Sequence, residues 1–139
     1  MTQKVLIVDD HPLVRQQLRK IVENISDVKV IGEAENGRIA VFLSKKMKPD
    51  IVIMDISMPV MNGVEATREI MNQTPVMKVI ATSMHYQKVI VDSILSYGAA
   101  GFVLKESLTS ELARAIETVN NNNVYMSSSI ERQATYVSQ

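Results

Sequence analysis

The chain has 139 residues, 46% of them hydrophobic, and no cysteine. That is enough for one packed domain with a tail and too little for two ordinary domains, and it rules out disulfide scaffolds, thiol nucleophiles and cysteine metal sites. Lysine plus arginine number 15 and aspartate plus glutamate 15, a formal charge of zero, which removes the broad electrostatic basis for direct binding to DNA or to an anionic membrane.

The segment "MTQKVLIVDD" is far short of a signal-peptide core, and no apolar run approaches the length of a membrane span. The expectation is a soluble, cytoplasmic protein.

In chain order, the first strand signal is "KVLIV" at 4–8, which runs straight into Asp9 and Asp10. In "HPLVRQQLRKIVENI", Val14, Leu18, Ile21, Val22 and Ile25 share one helical face, with Pro12 suited to the first turn. "VKVIGEA" at 28–34 reads as a second strand. Asn36 then reads as the N-cap of a helix running to about Met47, with Pro49 just beyond its end.

"DIVIM" at 50–54 leads into Asp55, and the loop "ISMPVMN" follows, stiffened by Pro59 and released at Gly63. The spacing predicts a third helix over 63–73, stopped by Thr74 and Pro75. "MKVIAT" at 77–82 is a fourth strand, and a fourth helix over 87–98 ends at Gly98, a C′ glycine. "GFVLK" at 101–105 is a fifth strand ending on Lys105. The last helix covers 109–122, with Leu112, Ile116 and Val119 facing inward.

Short, Val- and Ile-rich strands alternating with helices require crossover connections, and so a doubly wound α/β fold on a parallel sheet. Ligands in such a sheet bind beyond the C-terminal strand ends, where the strand order reverses. Asp9, Asp10 and Asp55 all sit at strand ends. If the first and third strands are neighbours, three carboxylates converge, and a hard oxygen-liganded dication such as Mg²⁺ relieves their repulsion. The competing structural reading makes Asp10 the N-cap of the first helix.

A carboxylate can attack phosphorus to give an acyl phosphate when cations neutralise the transferring group, which makes Asp55 the candidate acceptor. Thr82, Ser83 and Lys105 end the fourth and fifth strands, where a hydroxyl and an ammonium could meet phosphoryl oxygens. His11 and His85 lack a paired-histidine spacing and read as polar loop residues rather than ligands.

The segments "LIVDDHPLVR", "DIVIMDISMPVMNG", "KVIATSMH" and "GAAGFVLK", in this order, resemble the receiver domain of two-component response regulators over about residues 3–121. The resemblance implies a flavodoxin-like (βα)5 sheet in the order 2-1-3-4-5. It makes Asp55 the phosphoacceptor, gives Asp9 and Asp10 to Mg²⁺ with the backbone carbonyl of Ser57, and makes Lys105 the phosphoryl-binding cation. "VIATSMH" is similar to the "VIALSMH" form, so Ser83 is the switch hydroxyl and Thr82 fills an apolar slot. Phe102 matches the aromatic switch position three residues before the lysine.

The resemblance further implies phosphoryl transfer from the phosphohistidine of a sensor histidine kinase, with slow self-dephosphorylation. On this reading Ser57 and His85, two residues past Asp55 and Ser83, are expected to flank the path of the attacking water and to tune that rate. The resemblance points to the face of the fourth helix, fifth strand and fifth helix as the exit for the signal and as the expected homodimer contact. "SMH", "GAAGFVLK" and "VYMS" resemble the NarL/FixJ subfamily, whose members usually continue into a LuxR-type helix-turn-helix domain. The expected division is a receiver domain at 1–122 and a linker or tail at 123–139, with no output domain in this chain.

Two rivals are weighed against this. A haloacid-dehalogenase-like phosphohydrolase wants an acid two residues after its nucleophile, and position 57 is serine. A receiver-fold interaction module that works without phosphorylation has no need of the full Asp9, Asp10, Asp55, Ser83 and Lys105 set.

Overall fold

The computed structural model describes residues 2–128. In chain order its elements are β1 (Gln3–Val8), α1 (Pro12–Glu23), β2 (Val28–Ala34), α2 (Gly37–Met47), β3 (Ile51–Asp55), α3 (Gly63–Gln73), β4 (Lys78–Ser83), α4 (Lys88–Ser96), β5 (Gly101–Leu104), α5 (Leu108–Asn120) and β6 (Tyr125–Met126), with a 3-10 turn at Lys105–Ser107 before α5. The sheet is parallel throughout, in the order β2-β1-β3-β4-β5-β6.

Strand alternation divides the core in two. Val5, Ile7, Ile51, Ile53, Ile80 and Val103 face α1 and α5, meeting Leu18, Val22, Leu112 and Ile116. Leu6, Val8, Val52, Met54, Val79 and Phe102 face the other way, against Ala40, Ala66, Ile70, Val91 and Ile94 of α2, α3 and α4. Burying each such side chain is worth about 1.5–3 kcal/mol, so both faces of every central strand contribute.

The turns follow from particular residues. Asn36 Oδ1 accepts the Ile39 amide at 2.9 Å and Asn62 Oδ1 the Glu65 amide at 3.0 Å, each capping a helix. Gly98 has φ +105°, as a C′ glycine requires. Helix α1 starts differently, because its N-cap is His11 with no side-chain cap bond. Asp10 is therefore not spent on capping.

The five expected strands take the order 2-1-3-4-5, and β6 adds a sixth. It lies past the boundary expected at residue 122: Gly101 pairs with Tyr125 and Phe102 with Met126. The rest of the expected tail, 129–139, lies outside the described residues. Among the described residues no helix is long and apolar enough to cross a membrane.

Candidate functional site

Because β1 lies between β2 and β3, the connections leave its two sides in opposite directions, and the strand order reverses at the C-terminal ends of β1 and β3. Asp9 follows β1 there and Asp55 ends β3. Both are buried, with Asp9 at 0% and Asp55 at 1% exposure, while Asp10 stands at the rim. Ligand atoms of Asp9, Asp10, His11 and Asp55 all lie within 4.8 Å of one another.

Lys105, at the end of β5, supplies the opposing charge. Its Nζ is 2.8 Å from Asp9 Oδ2 and 3.3 Å from Asp55 Oδ2, with the side chain itself 7% exposed. Beyond this ammonium Asp9 Oδ2 and Asp55 Oδ2 have no donor, and Asp10 Oδ1 has only the His11 ring nitrogen near it. Asp55 Oδ1 accepts the Ser57 amide at 3.2 Å.

Burial first, and then the Asp9 charge, push the Asp55 carboxyl above its ordinary range, against the pull of Lys105 and the Ser57 amide. Burial alone would lower the Lys105 ammonium, but the Asp9 contact and the Asp55 charge outweigh it and hold Lys105 above its ordinary range. One ammonium thus balances two buried carboxylates incompletely. Two buried carboxylates with a third beside them and one ammonium between suit a hard, oxygen-liganded dication, and the cluster is placed to coordinate one such as Mg²⁺.

The backbone fixes this geometry tightly. The Asp9 amide donates to Ala34 O at 3.0 Å and the Ile56 amide to Thr82 O at 3.1 Å. A Cβ at Gly63 would stand 2.1 Å from the Asp55 carbonyl oxygen, and one at Gly37 2.4 Å from Met61 O. Glycine at both positions lets the N-termini of α3 and α2 close on the loop after Asp55.

Thr82 pairs with Asp55 across the sheet and is buried, its Oγ1 without a partner. Ser83, one residue on, faces the other way: its Oγ accepts the His85 amide at 3.2 Å, and it lines a cleft of about 310 Å³ with Ser57, Asn62 and His85. Phe102 is fully buried with Ala81, Val91 and Leu104. A wider trough of about 830 Å³, lined by Ser44, Lys48, Asp50 and Lys78, lies at the opposite end, where the strands begin.

Two residues of the site were not assigned to it from the sequence. His11, read as a loop histidine, places Nδ1 2.8 Å from Asp9 Oδ1 and 3.1 Å from Asp10 Oδ1. Adjacency to two acids was the available signal. Arg15, one helical turn further, donates from Nη1 to the Asp9 carbonyl at 2.6 Å and from Nε to Glu33 at 3.0 Å, clamping the turn that carries the acids.

Residues 5–117 match the response regulator receiver domain family. The chain is 40% identical over 129 residues to the response regulator UvrY of Escherichia coli (strain K12), covering 93% of this chain and 59% of that one. It is 34% identical over 135 residues to the response regulator GacA of Pseudomonas protegens, covering 97% and 63%. The chain therefore spans about three fifths of the length of these relatives.

Among solved structures, a LuxR-family two-component response regulator from Aurantimonas sp. SI85-9A1 superposes with a TM-score of 0.93 at 32% identity, covering all of both chains. The isolated REC domain of RcsB from Salmonella enterica serovar Typhimurium, in the presence of phosphomimetic BeF3−, superposes with a TM-score of 0.87 at 27% identity, covering 95% of this chain and 98% of that one.

Proposed function

The chain belongs to the response regulator receiver domain family, and on that premise we propose that Asp55 accepts a phosphoryl group from the phosphohistidine of a sensor histidine kinase. An Asp55 carboxylate oxygen forms the new bond to phosphorus as the P–N bond breaks, and the imidazole leaves with its ring nitrogen restored. The chain is then a signalling phosphoacceptor rather than a classical enzyme, working in the cytoplasm beside a kinase. Residues 1–122, with the β6 residues Tyr125 and Met126 that pair with β5, form the receiver, and regulation of transcription through an output domain belongs to this reading.

Asp9, Asp10 and Asp55, with the Ser57 carbonyl, would hold Mg²⁺. When bound, the ion supplies charge neutralisation for the transferring group. Lys105 pairs with a phosphoryl oxygen, exchanging its contact with Asp9 for a stronger anion. Ser83 swings from the His85 amide toward that group, and Phe102 rotates within the core into the space left behind. Ser57 and His85 stand beside the cleft through which a hydrolytic water would reach the acyl phosphate, and they set its lifetime. A homodimer through α4, β5 and α5 is a further part of this reading.

The observation that carries the proposal is Lys105 Nζ standing 2.8 Å from one buried carboxylate and 3.3 Å from another whose pKa is already raised. Its test is borohydride reduction after exposure to a phosphodonor, which converts an aspartyl phosphate to homoserine. Peptide mapping is expected to find homoserine at position 55. Homoserine elsewhere, or none, would overturn the assignment.

A further inference from the structure

Asp9, Asp55, Thr82 and Lys105 continue one face of the sheet. Each follows by two residues a core residue that faces α1 and α5: Ile7, Ile53, Ile80 and Val103. The register joins them, since Asp55 pairs with Thr82 and Thr82 with Val103. Neighbouring strands stand about 4.8 Å apart, and β4 lies between β5 and β3. The Lys105 side chain therefore crosses the end of β4 to bring Nζ 3.3 Å from Asp55 Oδ2 and 2.8 Å from Asp9 Oδ2. Thr82 is the β4 residue at that crossing.

Packing alone does not explain a hydroxyl there. Thr82 is 1% exposed, and its Oγ1 has no partner among the described residues, so the group has lost water without gaining a bond. Ser44 and Thr67 also hold buried hydroxyls without partners, but both lie in helices, where a carbonyl one turn back is within reach of serine or threonine. On β4 the backbone carbonyls serve the sheet ladder instead. Valine would match the shape of Thr82 and leave no polar atom stranded.

Lys105 has a use for this oxygen. An ammonium carries three N–H donors, and the side chain is 7% exposed. The two carboxylates it faces, Asp9 and Asp55, belong to the cluster placed for a dication, and Asp55 is also the proposed acceptor. Once those oxygens are engaged, the ammonium needs another acceptor to stay over β4 rather than turn out to water.

We propose that Thr82 is a positioning residue for Lys105: its hydroxyl oxygen accepts an N–H of the ammonium and holds it over β4 when a dication or a phosphoryl group engages Asp9 and Asp55. The inference rests on the phosphoacceptor reading. A hydroxyl that is idle in the metal-free site and costs the fold stability there gains its bond when the carboxylates are taken.

The experiment compares wild type, Thr82→Val and Thr82→Ser in the full chain by three readouts. These are the urea midpoint without metal, acetylation of Lys105 by acetic anhydride with and without Mg²⁺, mapped by peptide mass, and the rate of mass gain from acetyl phosphate at saturating Mg²⁺. Thr82→Val is expected to have a higher urea midpoint than wild type and yet to take up the phosphoryl group about tenfold more slowly, the scale for losing one hydrogen bond to a charged group. Its Lys105 is expected to be acetylated about tenfold faster than in wild type with Mg²⁺, and equally without. Thr82→Ser, which keeps the hydroxyl, is expected to match wild type in uptake and in Lys105 protection.

Equal uptake and equal Lys105 acetylation in wild type and Thr82→Val with Mg²⁺ would overturn the inference and leave Asp55 as acceptor. Thr82→Ser as slow as Thr82→Val would overturn it too, because shape rather than the hydroxyl would then matter, as would a lower urea midpoint for Thr82→Val. Folded wild type that gains no mass would instead overturn the acceptor reading on which the inference rests.

Discussion

Gly63 and Asp55 meet backbone to backbone: a Cβ at 63 would stand 2.1 Å from the Asp55 carbonyl oxygen and 2.7 Å from Ile56 Cα. The obstacle is main chain at the end of a buried strand, so it cannot swing aside. Gly63→Ala is expected to cost about 1–3 kcal/mol, the usual range for overpacking, and to reduce phosphoryl uptake because Asp55 is displaced. Urea unfolding reads the first effect and a phosphorylation time course the second. A variant equal to wild type in both would contradict the close contact.

Lys105 neutralises Asp9 and Asp55 in the absence of metal and competes with a dication for them. Lys105→Met is expected to slow phosphoryl uptake about 10²-fold, the scale for losing one preorganised charge at a developing anion, and at the same time to tighten Mg²⁺ binding. Calorimetric titration with Mg²⁺ separates the two effects. Slower uptake with weaker Mg²⁺ binding would mean that Lys105 organises the site rather than competing for it.

Asp55 and Glu111 have opposite pH signatures. Asp55 is raised from 3.8 by burial, so its protonated form favours the fold, and stability is lost as pH rises through its folded pKa. Asp55→Asn is therefore expected to be more stable than wild type at neutral pH without metal, by on the order of 1 kcal/mol, with the gap closing toward pH 3. Glu111 is lowered from 4.5 despite burial, through its donors from Tyr125 and Ser127. Its contribution is present above 4.5 and lost as pH falls through the folded pKa, and Glu111→Gln is expected to flatten that loss. Urea midpoints across pH 3–8 check both signs.

Val60 has φ +69°, and the Met61 amide closes a tight turn on Pro59 O at 2.8 Å. A β-branched residue is strained there, and Val60 is exposed with no packing to compensate. Val60→Gly is expected to stabilise the chain by about 1 kcal/mol, read as a higher urea midpoint. A lower midpoint would show that the loop does not hold this turn in solution.

Much of the architecture could be read from periodicity because each central strand is buried on both faces and each helix on one. The third helix at 63–73, the Asn36 cap and Gly98 follow directly from local chemistry. β6 was not legible: two residues after an asparagine run carry no alternation. Glu111 gave a signal that was available, since it falls on the stripe of Leu108, Leu112 and Ala115, where an acid needs partners.

At the site, the strand-end acids and Lys105 were visible because their charges interrupt apolar runs. His11 offered only its adjacency to two acids and Arg15 no signal, because contact with Asp9 depends on how the chain turns after β1, and polar residues at a helix start have many ordinary uses.

The most direct test is the intact mass of the protein after incubation with acetyl phosphate, with and without Mg²⁺, for wild type and Asp55→Asn. A gain of about 80 Da, one phosphoryl group, is expected in wild type only and only with Mg²⁺. Folded wild type that binds Mg²⁺ and gains no mass would contradict the account and point to an interaction module that works without phosphorylation.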